Sequence, residues 1–283
     1  MLQVESKHVQ LGSGRVLWVE IYGSSSSDCR ALLFANGMAS TTNAWSSLVH
    51  SFSAEFLASH TVILHDAANT GKSPYQPELP APTLSSIATE ARQLLEHLGR
   101  QYGYWIGHSF GGQQGFVAAQ HDPNFWKGLL LLAPQTDRVT PHCRTSMDAI
   151  ASVFRSDPDT SKYADEIYDT PGSSLISKSG IYGALAREMA LRQRAESMVL
   201  AFGALLGPHE GDFDWQKMTT KIVLVFGGRD AIAPPSEGHY AITKLRSVAS
   251  AEATLVVLPD SGHWMNWEEE RRIRDEIIKL VAV

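Results

Sequence analysis

The sequence predicts an α/β fold: a mostly parallel sheet of eight strands with helices on both faces, and a helical segment inserted ahead of the penultimate strand. Three observations carry this. Short unbroken apolar runs of strand length, such as residues 31–35, 61–64 and 221–226, are separated by stretches with helical spacing. Runs without alternation suit strands buried on both faces, which is where a parallel sheet puts them. From residue 135 to about 218 the rhythm lapses, and it then resumes. The expected organisation is a core of residues 1–134 and 219–283, with 135–218 as a helical cap. Strand alternating with helix also brings the loops after the strand ends onto one rim of the sheet.

With 283 residues, 43% hydrophobic and 19% charged, the chain can bury one large core. A formal charge of −6 without any basic cluster argues against nucleic acid as a partner, because phosphate neutralisation needs grouped Lys and Arg. The expected partner is a small molecule. Cys29 and Cys143 are far apart and outside any Cys-x-x-Cys pattern, so they are expected as two free thiols rather than a disulfide or a zinc site. The first residues lack the charged start and apolar run of a secretory signal, no run reaches membrane-spanning length, and no Asn-x-Ser/Thr sequon occurs. The cytoplasm is the expected location.

Residues 4–11 and 15–22 alternate around Gly12-Ser13-Gly14 and predict an antiparallel hairpin at a sheet edge. The run 31–35 is the first buried strand, followed at once by Asn36-Gly37-Met38. Trp45, Leu48, Val49, Phe52 and Phe56 give residues 44–57 helical spacing and predict one helix, and 61–64 form the next strand. The loop at 66–73 approaches the phosphate-cradling Gly-x-x-x-x-Gly-Lys-Ser pattern, but Asp66 replaces its first glycine and would repel phosphate. Pro74, Pro77, Pro80 and Pro82 also forbid the helix that such a loop needs. It is expected to be a connector in which Asn69 or Gly71 takes a left-handed turn. Thr83 is placed to cap a helix running to about 98, with Leu84, Ile87, Ala91, Leu94 and Leu95 on one face.

A strand ending at Ile106 leads to a helix reaching about 120, and a strand follows at 128–134. The insertion reads as helices broken at Asp157-Pro158, Thr170-Pro171-Gly172 and Gly207-Pro208, the longest spanning 183–206. Ligands in such sheets bind beyond the carboxyl ends of strands, where this insertion departs, so it is expected to act as a lid. After the strand at 221–226 come a helix at 234–245, a last strand at 253–258 and an amphipathic helix at about 268–281.

Residues 107–111, Gly-His-Ser-Phe-Gly, match Gly-x-Ser-x-Gly between an apolar strand and a helix, the context the motif requires. So tight a turn demands positive φ at Ser109 and no Cβ at Gly107 or Gly111. It lifts the hydroxyl to a helix N-terminus, whose free N–H groups favour negative charge. Taken alone, the pattern is equally a glycine-bearing turn with an ordinary serine. A serine becomes a nucleophile when a neutral imidazole takes its proton, and the imidazole needs a carboxylate to fix its tautomer. Asp230 and His263, in the loops after the last two strands, supply both on the same rim in the order Ser, Asp, His. Asp137, after the preceding strand, is the alternative acid or a cap for the insertion. His108 is expected to point away from the site in a structural role, and His239 to face solvent.

With these residues in hand, the chain resembles the capped, esterase-like members of the α/β-hydrolase fold, from about Gly14 through the last helix except for the insertion. The resemblance rests on residues 34–38, 66–73, 107–112, 227–230 and 262–264. It implies Ser109 as nucleophile, His263 as general base and Asp230 as orienting acid, with the backbone N–H groups of Met38 and Phe110 as oxyanion hole. No metal or cofactor is implied. Members commonly carry His-Gly where this chain has Asn36-Gly37, which leaves the bonding of the oxyanion loop to be found. Serine at 109 excludes the haloalkane dehalogenase and epoxide hydrolase chemistries, which use an aspartate there. The expected reaction is hydrolysis of a small, largely apolar ester or lactone through an acyl-Ser109 intermediate. Thioester or carbon–carbon hydrolysis and a lyase reaction fit the same triad, and a ligand-binding protein with little turnover is the alternative from another class. Phe154, Tyr163, Tyr168, Tyr182, Met189, Met198 and Phe202 of the insertion, with Trp264, are candidates for an apolar pocket or for core.

Overall fold

The computed structural model describes residues 4–137, 139, 141–157, 159, 161, 164, 180–207, 213–248 and 252–282, the side chains of 141–143 and 146 excepted. One eight-stranded sheet has the spatial order β1-β2-β4-β3-β5-β6-β7-β8. β1 (Val4–Gln10) and β2 (Val16–Gly23) form the expected antiparallel hairpin, and β2 pairs antiparallel with β4 (His60–Asp66). β3 (Arg30–Ala35), β4, β5 (Gly103–His108), β6 (Trp126–Leu132), β7 (Ile222–Gly227) and β8 (Ala253–Leu258) run parallel. β4, β5 and β7 are buried at every position, which is why their sequences show no alternation.

Helices pack on both faces, as the side-chain parity of β6 demonstrates. Gly115 of α4 (Phe110–His121) lies against Leu131, whereas Gly128, on the opposite face by alternation, lies against Leu280 of the last helix. Ahead of α4, α3 (Leu84–His97) begins in a reciprocal cap between Thr83 and Ser86, so the capping role expected of Thr83 is met.

Two helices expected to be continuous are broken. Residues 44–57 form a 3-10 turn at Thr42–Trp45, then α1 (Ser46–His50), then α2 (Ala54–Ser59), which Ser53 caps by accepting the Phe56 N–H. A serine that bonds its own backbone ends a helix without disturbing the apolar spacing, so periodicity alone misses the break. The stretch 183–206 splits at residues 192–194 into α6 (Ile181–Leu191) and α7 (Ala195–Leu206). Gln193 at that corner is buried and accepts the Gly71 N–H at 3.1 Å, so a tertiary bond overrides a helix-compatible sequence. α5 (Pro141–Ser156) packs against α7. Past β7, α8 (Pro235–Arg246) opens on its proline as expected. The closing segment is a short α9 (Met265–Glu268) followed by α10 (Glu270–Val281). Among the described residues no helix is long and apolar enough to cross a membrane.

Candidate active site

Ser109 sits between β5 and α4 with φ 52° and ψ −113°, a conformation that costs a non-glycine residue about 1–3 kcal/mol and persists only where the surroundings enforce it. Here they do. A Cβ on Gly107 would collide with the Gly111 carbonyl, and one on Gly111 with the Ala35 carbonyl. The Ser109 N–H donates to the Leu132 carbonyl at 2.7 Å, and Trp105 Nε1 donates to the Gly111 carbonyl at 2.9 Å. That tryptophan was not singled out from the sequence. Its signal was its position two residues before Gly107, which puts it on the same strand face, beneath the turn.

The loops beyond β7 and β8 bring the acid and the imidazole together. His263 Nδ1 donates to Asp230 Oδ2 at 2.7 Å, and the two residues are 5% and 3% exposed. Asp230 Oδ1 accepts the N–H groups of Ile232 at 2.8 Å and Ala233 at 3.0 Å. With Nδ1–H committed to the carboxylate, Nε2 is the nitrogen able to take a proton. No hydrogen bond joins Ser109 Oγ to His263 in this structure, and pairs of this kind commonly tighten when substrate binds. Asp137 has other partners: its Oδ2 accepts from Trp215 Nε1 at 3.1 Å and Tyr240 Oη at 3.2 Å. His239 is exposed, as expected.

His108 corrects an expectation. It does not point away from the site: its Nε2 donates to the His263 carbonyl at 2.8 Å, and its ring centroid lies 4.9 Å from that of His263. Alternation places it opposite Trp105, and that face is the one over which the His263 loop folds. Burial, with the His263 ring adding to it, pushes His108 down to about 3, so the ring is neutral. Glu268, also missed from the sequence, steadies the same loop by accepting the Ser261 hydroxyl at 2.7 Å and the Gly262 N–H at 2.5 Å.

On the other side of Ser109, Ala39 turns the 36–40 loop, the one expected to carry an oxyanion donor, with φ 58°. The N–H groups of Met38 and Phe110 meet no acceptor among the described residues. Asn36 anchors the loop: Nδ2 donates to the His65 carbonyl at 2.9 Å and Asp66 Oδ1 at 3.1 Å, while Oδ1 accepts from Trp45 Nε1 at 2.9 Å. Asp66 also accepts the Thr42 N–H at 2.8 Å and the Lys72 N–H at 2.9 Å. Burial raises it to about 6 against the pull of those donors, and burial lowers its neighbour His65 to about 4. Lys72 Nζ pairs with Glu20 at 2.9 Å, and both Asn69 (φ 64°) and Gly71 (φ 54°) take the left-handed turn expected of one of them. The 66–73 loop is thus a strut for the 36–42 segment.

A cavity of about 20 Å³ lies between that loop and α7, bordered by Gly37, Met38, Phe110, Gln114, Met198 and Ala201; this is room for about one water-sized body. Of the pocket candidates, Met198 lines it. Phe154 stacks on Phe202 at 6.3 Å and Met189 is fully buried, so these pack the insertion. Tyr182 stacks on Trp267 at 5.2 Å, and Trp267 stacks on Trp264 at 4.7 Å. Tyr163 and Tyr168 lie outside the described residues. Gln193 ties the α6–α7 corner to both neighbouring loops, its Nε2 donating to the Ser40 carbonyl at 3.5 Å beside its bond to Gly71. Among the described residues no group of three His, Cys, Asp or Glu side chains could hold a metal ion.

A family model described as alpha/beta hydrolase fold matches residues 30–270. The sn-1-specific diacylglycerol lipase ABHD11 of Mus musculus is 21% identical over 267 residues, which cover 89% of this chain and 81% of the lipase. Two solved structures superpose over almost their whole length. The enol-lactonase from Burkholderia xenovorans LB400 has a TM-score of 0.83 at 16% identity, covering 98% of this chain and 100% of the lactonase. A thermophilic esterase from Thermogutta terrifontis has a TM-score of 0.77 at 19% identity, with 97% of each chain covered. At such identities the structures share the fold with this chain.

Proposed function

The chain belongs to the alpha/beta hydrolase fold family and is a hydrolase, and we propose that it cleaves small, largely apolar carboxylic esters or lactones through an acyl-Ser109 intermediate. The observation that carries this is the 2.7 Å His263–Asp230 bond beside a serine whose backbone is forced to φ 52°. In the proposed sequence Ser109 Oγ attacks the carbonyl carbon while His263 Nε2 takes its proton, and Asp230 holds the resulting imidazolium in place. The carbonyl oxygen, now an oxyanion, accepts from the Met38 and Phe110 N–H groups, a contribution of about 3–4 kcal/mol per well-aimed donor. Collapse of the tetrahedral intermediate breaks the bond to the leaving oxygen, which receives the proton from His263. Water then attacks the acyl-enzyme with His263 as base, releasing the acid and restoring the serine.

The leaving oxygen must lie beside His263 Nε2 to be protonated, so the acyl group extends the other way, toward the cavity bordered by Met38, Phe110 and Met198. We take residues 135–218 as a cap, because Met198 and Ala201 of α7 close that cavity and Gln193 bonds to the loops beneath. The relatives named for ester and lactone cleavage support the reaction class, since both are acyl transfers to water.

An activated aryl ester should give a burst of chromophore that is lost in Ser109→Ala, with kcat/KM falling on the order of 10⁴-fold or more. A wild-type protein with no burst, and no labelling of Ser109 by a fluorophosphonate, would contradict the reading.

A further inference from the structure

We propose that His108 is a positioning residue that holds the His263 loop at its working distance from Ser109, a role that rests on the triad reading above. The imidazole occupies the space between three catalytic loops. It belongs to the nucleophile turn by sequence. Through Nε2 it donates to the backbone carbonyl of His263 itself, at 2.8 Å, and its ring lies 5.3 Å from that of Trp264. Its other edge meets the oxyanion loop, where Gly37 makes room: a Cβ there would stand 2.8 Å from His108 Nδ1 and 3.4 Å from Ser109 Cβ.

The ring is 2% exposed, and Nδ1 has no hydrogen-bond partner. A buried acceptor left unpaired costs about 1–3 kcal/mol, so a residue serving only to fill this space would do better as leucine. What imidazole adds over leucine is the N–H bond to the His263 carbonyl. Since burial keeps the ring neutral, the same nitrogen donates throughout the working pH range. Glu268 steadies the residues leading up to His263, but its bonds reach Ser261 and Gly262 and stop one residue short. His108 therefore acts as a neutral strut and takes no part in moving the proton.

The test compares His108→Leu and His108→Met, which fill the space without a donor, with His108→Gln, which keeps one. Steady-state kinetics on a short-chain aryl ester are measured per folded protein, below the melting transition of every variant. The expected result is a loss of about 10- to 100-fold in kcat for the leucine and methionine variants, the order a displacement of about 1 Å produces. KM should change less than about threefold, as expected for an interaction outside the substrate site, and the pH–rate profile should keep its wild-type midpoint. The glutamine variant should recover most of the loss. Wild-type kcat in the leucine variant, or a glutamine variant as slow as the leucine one, overturns the positioning role alone. Absence of Ser109-dependent turnover in the wild type overturns the reaction and this role with it.

Discussion

On the β4 flank of Ser109 the 36–40 loop is held by the side chains of Asn36 and Asp66, which lie outside the proposed proton path, whereas on the β8 flank the holding groups are members of that proposed path or touch it. Asn36 and Asp66 form a closed polar cluster in which one amide and one carboxylate serve the Thr42 and Lys72 backbone, Trp45 and His65. Asp230 and His263 form a short linear chain with backbone N–H groups at one end and a free imidazole nitrogen at the other. The difference separates two kinds of catalytic help. In the proposed mechanism the first flank fixes dipoles where charge will appear, and its contribution should be nearly independent of pH above the titration of Asp66 at about 6. The second carries the proton in that mechanism, so its contribution should be written into the pH profile.

The largest effect that would break this division is at the acid. Asp230→Asn keeps the shape of the site but offers His263 Nδ1 the wrong partner, so kcat should fall about 10³- to 10⁴-fold with a changed pH–rate profile. A profile that merely drops without changing shape would place Asp230 with the static groups. Next is Asn36→Ala, which leaves Trp45 Nε1 without a partner and removes one of the two donors to Asp66 Oδ1. A single misplaced oxyanion donor costs up to about 10²- to 10³-fold, and we expect about 10- to 100-fold in kcat with the profile's midpoint unchanged. Urea unfolding should report a loss of about 1–3 kcal/mol for the orphaned indole N–H. A shifted midpoint would mean that the two flanks are coupled.

The smallest effect sharpens the comparison through stability. His65 on one flank and His108 on the other are neutral in the fold, lowered to about 4 and about 3, whereas the unfolded chain protonates each as pH falls through about 6.5. Below that pH the unfolded state binds more protons, so each histidine's contribution is present above 6.5 and is lost on acidification. Asp66, raised to about 6, acts in the opposite sense over the same range and offsets part of the loss. Replacing His65 with Asn should therefore flatten the fall in unfolding free energy between pH 7 and pH 5 by about 2 kcal/mol. An unchanged slope in urea titrations at the two pH values would show that His65 titrates normally in the fold.

The reach of the sequence ran along these same lines. Strand identities and the placing of Ser109, Asp230 and His263 were readable because burial on two faces and a strained turn leave marks in neighbouring residues: unbroken apolar runs in β4, β5 and β7, and glycines at 107 and 111. Asn36 could be flagged as unusual but not assigned partners, since those come from β4 and a 3-10 turn. His108 was misjudged because alternation tells which face a side chain takes, and what folds over that face is decided 155 positions later in the chain. Gln193 broke a helix for a bond to Gly71, across 122 positions, that no local pattern records. Long-range hydrogen bonds made by ordinary-looking polar residues were what single-sequence reasoning could not supply.

The stacked rings of Tyr182, Trp267 and Trp264 have a consequence of another kind. Tyr182 stands at the start of α6, Trp264 precedes α9 and Trp267 lies within it, and the interplanar angles are 12° and 7°. Two indoles face to face at 4.7 Å couple their electronic transitions, so the near-ultraviolet dichroism and emission of this chain carry an intrinsic optical signature of the register between α6 and the His263 loop. The protein thus contains its own chromophore pair at the seam between the proposed cap and the core, readable without attaching a label.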